Sequence, residues 1–209
     1  MPHNPLLRFL ACFAILYAAL LLPWPGLKDA YCSWFRTLAS LVLGSSDSRR
    51  EITFEPLDDP ARPRFTRAVI VNRSLMKPDG SGPVRNLDLD TSAFGWGPTA
   101  LLVSLVLATP LPWKRRWRAL FLGLILEQGF IVLWLAYFVW YDSAEIALVA
   151  FTPFWRHAAS VFRETLLGQI NLAAPVLIWI LVTFRRGDRE NEKAVVSRKD
   201  AKAAKGMVL

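Results

Sequence analysis

Glu127 stands alone as an acid inside an apolar run, Ala119–Tyr141. An ionisable group in such a run takes a proton, meets a polar partner or lines a water-filled crevice, and it is a functional candidate by default. It lies eight residues from the basic end of its run, ~12 Å at 1.5 Å per residue. Ser104, nine residues from the same end of the preceding run, matches that depth. Ser104 also belongs to Ala100-x-x-x-Ser104-x-x-x-Ala108, a small-residue stripe that lets helices approach closely. The stripe is expected to pack on the Glu127 face near Gly123. Gln128, Gln169 and Asn171 add polar groups. Interhelical hydrogen bonding is the favoured role of Glu127, Ser104 and Gln128, ahead of a conducted proton or ion, a bound head group, or contact with a partner.

A second constellation is Cys32 and His157 with Arg36, Arg156 and Arg163 nearby. A nucleophilic thiolate needs an imidazole within reach and a positive environment. Cys32, His157 and Arg156 all fall beside apolar runs, so their depths allow the pairing. Neither Cys32 nor His157 sits in a nucleophile motif, and the prevailing reading gives them no chemical role. Cys12 and Cys32 are separated by twenty residues of mostly helical chain, too far for a bridge. Asn72-Arg73-Ser74 matches a glycosylation acceptor, but a three-residue pattern is common by chance. Metal-ligand spacing, phosphate-cradling glycine loops and Ser/His/Asp arrangements are missing from the sequence, so no cofactor is expected.

The elements that must position these residues are four apolar stretches of 19 to 23 residues, Phe9–Leu27, Phe94–Trp113, Ala119–Tyr141 and Leu166–Phe184. Roughly 20 helical residues cross a ~30 Å bilayer core. The chain has 209 residues, 54% hydrophobic, with nine Trp and thirteen Phe, too apolar for an ordinary soluble domain. The expected fold is therefore a mainly α membrane protein with four transmembrane helices, a small extracytoplasmic antiparallel β-sheet and two interfacial helices.

The net charge of +8 is concentrated at Lys114, Arg115, Arg116 and Arg118, at Arg185 and Arg186, and in the tail beyond them. The long first loop nearly balances, with ten basic and nine acidic residues. Positive charge marks the cytoplasmic side, so both termini and the 114–118 hinge are placed there and nucleic-acid binding is not expected. The first stretch reads as an uncleaved anchor, because Pro23-Trp24-Pro25 stands where a small-residue cleavage site belongs.

The expected organisation is a first transmembrane helix (1–27), an interfacial helix (28–44) with Asp29 as its cap, and a β subdomain (45–93). Transmembrane helices two and three (94–141) flank the basic hinge. An outer loop with a second interfacial helix (142–165), a fourth transmembrane helix (166–184) and a disordered cytoplasmic tail (185–209) complete the chain. Within 45–93, period-two alternation predicts three strands. Ile52 and Phe54 share one face, Phe65, Val69 and Val71 another with Arg67, and Leu87 and Leu89 a third. Lys77-Pro-Asp-Gly-Ser-Gly-Pro83 is a turn cluster.

Several of these features resemble the small membrane proteins encoded beside bacterial exosortases, the exosortase H-associated type. The resemblance rests on Ser92-Ala-Phe-Gly-Trp-Gly-Pro98, the ending Leu107-Ala-Thr-Pro110 and the hinge Trp113-Lys-Arg-Arg-Trp-Arg118, mainly residues 87–140. It implies an accessory role in sorting proteins that carry carboxy-terminal membrane signals, in a bacterial inner membrane, with an exosortase as a possible partner. This chain lacks the exosortase cysteine motif, so catalysis is not implied and no family residue carries over. The expected function is a non-enzymatic platform for a membrane partner or exported substrate, with a homo-oligomer possible. The alternatives are a membrane-embedded thiol enzyme using Cys32 and His157, and a small transporter subunit using Glu127.

Overall fold

The computed structural model describes residues 5–22, 24, 26–59, 64–167 and 170–184. Helix α1 (Pro5–Leu21) leads into α2 (Leu27–Leu43), then strands β1 (Ser45–Ser46), β2 (Arg50–Pro56), β3 (Phe65–Asn72) and β4 (Val84–Asp90). A π-helical turn (Ser92–Trp96) opens α3 (Gly97–Ala108), followed by α4 (Trp113–Glu145), α5 (Pro153–Leu167) and α6 (Ile170–Thr183).

The four strands form one antiparallel sheet in the order β1-β2-β3-β4. The sheet has a strand more than alternation predicts, because the two-residue β1 is too short to show a period. Its register pairs Phe54 with Ala68 and Ala68 with Leu87, so the buried face carries Ile52, Phe54, Ala68, Ile70 and Leu89. In β3 this is the opposite face to the one read from Phe65, Val69 and Val71. The longer apolar set lost because Arg67 shares its row and pairs with Asp88 at 2.8 Å on the solvent side.

The buried face rests on protein. Phe35 and Ala39 of α2 and Ile131, Trp134, Leu135, Phe138 and Val139 of α4 join it in one core, closed by Phe94 and Ile146. Helix α2 thus lies on the sheet, with Trp34, Leu41 and Val42 left exposed on its other side. It begins after Gly26 (φ 78°), and Asp29 sits in its first turn, not at the cap. Below this layer α3 packs against α1, α4 and α6, and a second core gathers Leu102, Val106 and Ala119 with Ile178 and Val182.

The expectation of four transmembrane helices is overturned. Among the described residues one helix, α4, is long and apolar enough to cross a membrane, while Pro5–Leu21, Ser92–Ala108 and Leu172–Thr183 are shorter apolar helices. The sequence runs overcounted because apolar residues continue past helix ends. The first run extends past Leu21, where α1 ends, and that helix holds 17 residues, or ~25 Å. The second run contains Thr109-Pro110-Leu111-Pro112 just before its last residue, Trp113. Proline lacks an N–H and pushes its predecessor out of the helical region, so Thr109 is extended (ψ 131°) and α3 stops at Ala108. Helix α4 runs the other way, continuing beyond its apolar run at both ends to 33 residues, ~50 Å. The tail from Arg185 and Gln169 lie outside the described residues.

Candidate functional site

Among the described residues, three of the polar places in the apolar interior lie along α4. The first lies where α2 crosses α3 and α4. Thr99 Oγ1 donates to the Gly95 carbonyl at 2.8 Å and accepts from Gln128 Nε2 at 3.0 Å. The Tyr31 hydroxyl lies 3.4 Å from the same Thr99 oxygen. Burial pushes the Tyr31 phenol up to about 12, against the opposing pull of Thr99 and Gln128. Gly95 is required here: a β-carbon on it would stand 2.6 Å from the Tyr31 hydroxyl oxygen.

Glu127 is fully buried beside this cluster, and among the described residues neither carboxyl oxygen has a hydrogen-bond partner. Ser104 is also fully buried, but its hydroxyl donates to the Ala100 carbonyl at 2.7 Å. The helices meet with Gly123 against Leu102 and Gln128 against Thr99. That antiparallel register sets Ser104 level with residues near Gly123, while Glu127 is level with Thr99 and Ala100, about a turn away. Thr99 and Tyr31, the polar groups at the level of Glu127, carry no sequence signal beyond their polarity.

The second place joins the sheet to α4 and α5. Asp142 is completely buried, with Arg85 Nε at 3.5 Å and Arg163 Nη1 at 3.9 Å from Oδ1. Arg85 also reaches Glu145 at 3.0 Å, and the Arg163 guanidinium lies over the Phe138 and Tyr141 rings. Asn72 sits in the same seam, donating from Nδ2 to the Ile146 carbonyl at 2.8 Å. Its Oδ1 accepts from the Ser74 N–H and hydroxyl. The amide that a glycosyl transfer would need is therefore buried and committed.

The third place is at the other end of α4. Trp179 Nε1 donates to Thr109 Oγ1 at 2.9 Å, Arg116 to the Thr109 carbonyl at 3.3 Å, and Arg115 to the Thr183 carbonyl at 2.7 Å. Phe9 stacks on Trp179. Both ends of the described chain thus gather at the basic end of α4.

The thiol and imidazole are not brought together. Cys32 is 3% exposed, its Sγ 3.8 Å from the Arg64 carbonyl, and burial raises its pKa against the opposing pull of Arg36. His157 is exposed and lines a groove of 520 Å³ with Tyr141, Phe151, Pro153, Arg156 and Ser160. Among the described residues no group of His, Cys, Asp and Glu is disposed to hold a metal ion.

No protein-family model, curated protein or solved structure matches the chain.

Proposed function

We propose that this protein is a non-enzymatic accessory protein of the bacterial inner membrane, held in lipid through α4, whose sheet presents an open edge to a membrane partner or an exported substrate. The observation that carries this reading is the hydrogen-bond phase of β4. The Asn72 N–H bonds the Pro83 carbonyl, so in the register of β3 with β4 the residues Arg85, Leu87 and Leu89 spend their main-chain groups on β3. Val84, Asn86 and Asp90 therefore turn theirs outward, and no strand lies beyond β4 among the described residues. An unpaired edge accepts an extended segment by strand addition.

Lipid contact is supported by α4 itself. Only 33% of its most apolar stretch is buried, where the core helix of a water-soluble protein would be mostly covered. Phe121, Leu122 and Ile125 in the first half of α4 stand exposed beyond Trp113 and Trp117, which hold the position of an interfacial aromatic belt. The basic residues 114–118 support, through the positive-inside rule, a cytoplasmic position for that end and an outer one for the sheet. The resemblance to exosortase-associated proteins makes a sorting enzyme of that class the partner we propose.

The test uses a photo-crosslinking residue at Asn86 of the full chain in its native host, with Thr53 on the outer face of β2 as control. A partner adduct is expected from position 86 and not from 53. Asn86→Pro, which blocks the edge while sparing the ladder to β3, should abolish the partner's co-purification. Equal adducts at both positions, or full co-purification by the proline variant, would refute the edge reading.

A further inference from the structure

The groove between α4 and α5 holds an arginine that makes no ion pair among the described residues. Arg163 is engaged by Asp142 and two rings, and Glu145 by Arg85. The Ser160 hydroxyl donates to the His157 carbonyl. Arg156 lines both the 520 Å³ groove and an adjoining 320 Å³ hollow, the second shared with Glu145, whose charge Arg85 answers. Its side chain has no ion pair or hydrogen bond among the described residues. The opposite wall is aromatic: Tyr141 and Phe151 line the groove, and Trp140 stands edge-on to Phe151 at 4.5 Å.

Immediately beside Arg156, Phe154 is 73% and Trp155 60% exposed. Bare rings flanking a cation make an amphiphilic surface of the kind that sits at the headgroup boundary. A small soluble anion would account for the arginine and leave the rings unexplained. A phospholipid uses both, its acyl chains against Phe154 and Trp155 and its phosphate at the guanidinium, which binds phosphate oxygens in a planar fork.

We propose that this groove binds the phosphodiester of an anionic phospholipid, with Arg156 as the phosphate ligand, His157 beside it and the Tyr141–Phe151 wall against the glycerol. The inference rests on the membrane reading above. Anionic headgroups are favoured over choline ones, because the choline cation would compete with Arg156 for the phosphate.

The full chain in non-ionic detergent would be titrated with short-chain phosphatidylglycerol, short-chain phosphatidylcholine and glycerol 3-phosphate, with binding read by calorimetry. Phosphatidylglycerol should bind best, and Arg156→Gln should weaken it about tenfold, the scale of one charge-assisted contact, with unfolding unchanged. The control Arg118→Gln should bind as wild type. Equal binding by Arg156→Gln or by phosphatidylcholine overturns the proposal, and equal binding of glycerol 3-phosphate assigns the groove to a soluble phosphate instead. Alkaline carbonate extraction from cells separates the two readings. A chain that stays with the membrane while Arg156→Gln binds normally sinks the lipid site alone. Release of the chain into the wash sinks the membrane reading as well.

Discussion

Replacing Asn72 should loosen the sheet from α4. Its side chain is 1% exposed and makes three hydrogen bonds, to the Ile146 carbonyl at 2.8 Å and to the Ser74 N–H and hydroxyl at 3.1 and 2.6 Å. Each is worth ~1 kcal/mol net, and a carbonyl left buried without a donor costs ~1–3 kcal/mol. Ser74 is only partly buried and can turn to water, so its share is smaller. Asn72→Ala should therefore cost about 2–4 kcal/mol, read from denaturant unfolding in mild detergent by tryptophan emission.

Asn72→Asp sharpens the argument. The introduced carboxylate still accepts from Ser74, but it cannot donate to Ile146 and sets a negative charge against that carbonyl. Its protonated form restores the donor. The folded state thus raises the pKa of this carboxyl above its unfolded value of about 3.9. The restored stability is fully present below the unfolded pKa and is lost as pH rises through the folded one. The penalty relative to wild type should be smallest near pH ~3 and grow toward pH ~7. An alanine variant within ~0.5 kcal/mol of wild type, or an aspartate penalty flat across that range, would refute the role given to this amide.

Gly95→Ala should force the Tyr31 ring aside and cost about 1–3 kcal/mol, seen as a lower melting temperature and a changed near-ultraviolet dichroism. Arg85→Gln removes two contacts to carboxylates, one of them on the buried Asp142; it should destabilise by roughly 1–3 kcal/mol, and Arg85→Gln with Asp142→Asn by less than the sum of the single changes. Cys32 should resist maleimide in the native protein near neutral pH and label only on unfolding, because its thiol is buried and its pKa is raised. Cys32→Ser and His157→Ala should leave co-purification of the partner intact, and loss of a measurable reaction in either variant would revive the thiol alternative.

The sheet was legible where side chains alternate strictly. Glu51-Ile-Thr-Phe-Glu55 and Val84–Asp90 predict β2 and β4 to within a residue, and Ile52, Phe54 and Leu89 do lie inward. Strand β3 was legible as a strand but not in its facing, since both rows of Phe65–Asn72 contain β-branched residues and only tertiary contact decides between them. The membrane layer misled because hydropathy counts apolar residues without seeing where hydrogen bonding stops. Pro110 and Pro112 end α3 inside an apolar run. Glu127 and Gln128 stood out as polar groups in such a run, but their level against α3 depends on Gly123 meeting Leu102, a packing fact. The buried roles of Asp142, Asn72 and Thr109 were not legible, for a different reason. Each sits at the end of an element, where polar residues are ordinary, and burial there comes from distant chain segments.

The 33 residues of α4 serve two layers at once, its first half among the other apolar helices and its second half in the heart of the sheet. A stiff rod of ~50 Å converts a change of tilt into displacement at its tip, about 9 Å for a rocking of ~10°. With Asp142, Ile146 and Asn72 fastened at that tip, the sheet must travel with the rod. In the membrane setting proposed above, a bilayer thickness that biases the lean of α4 would shift how far the β4 edge stands from the lipid surface.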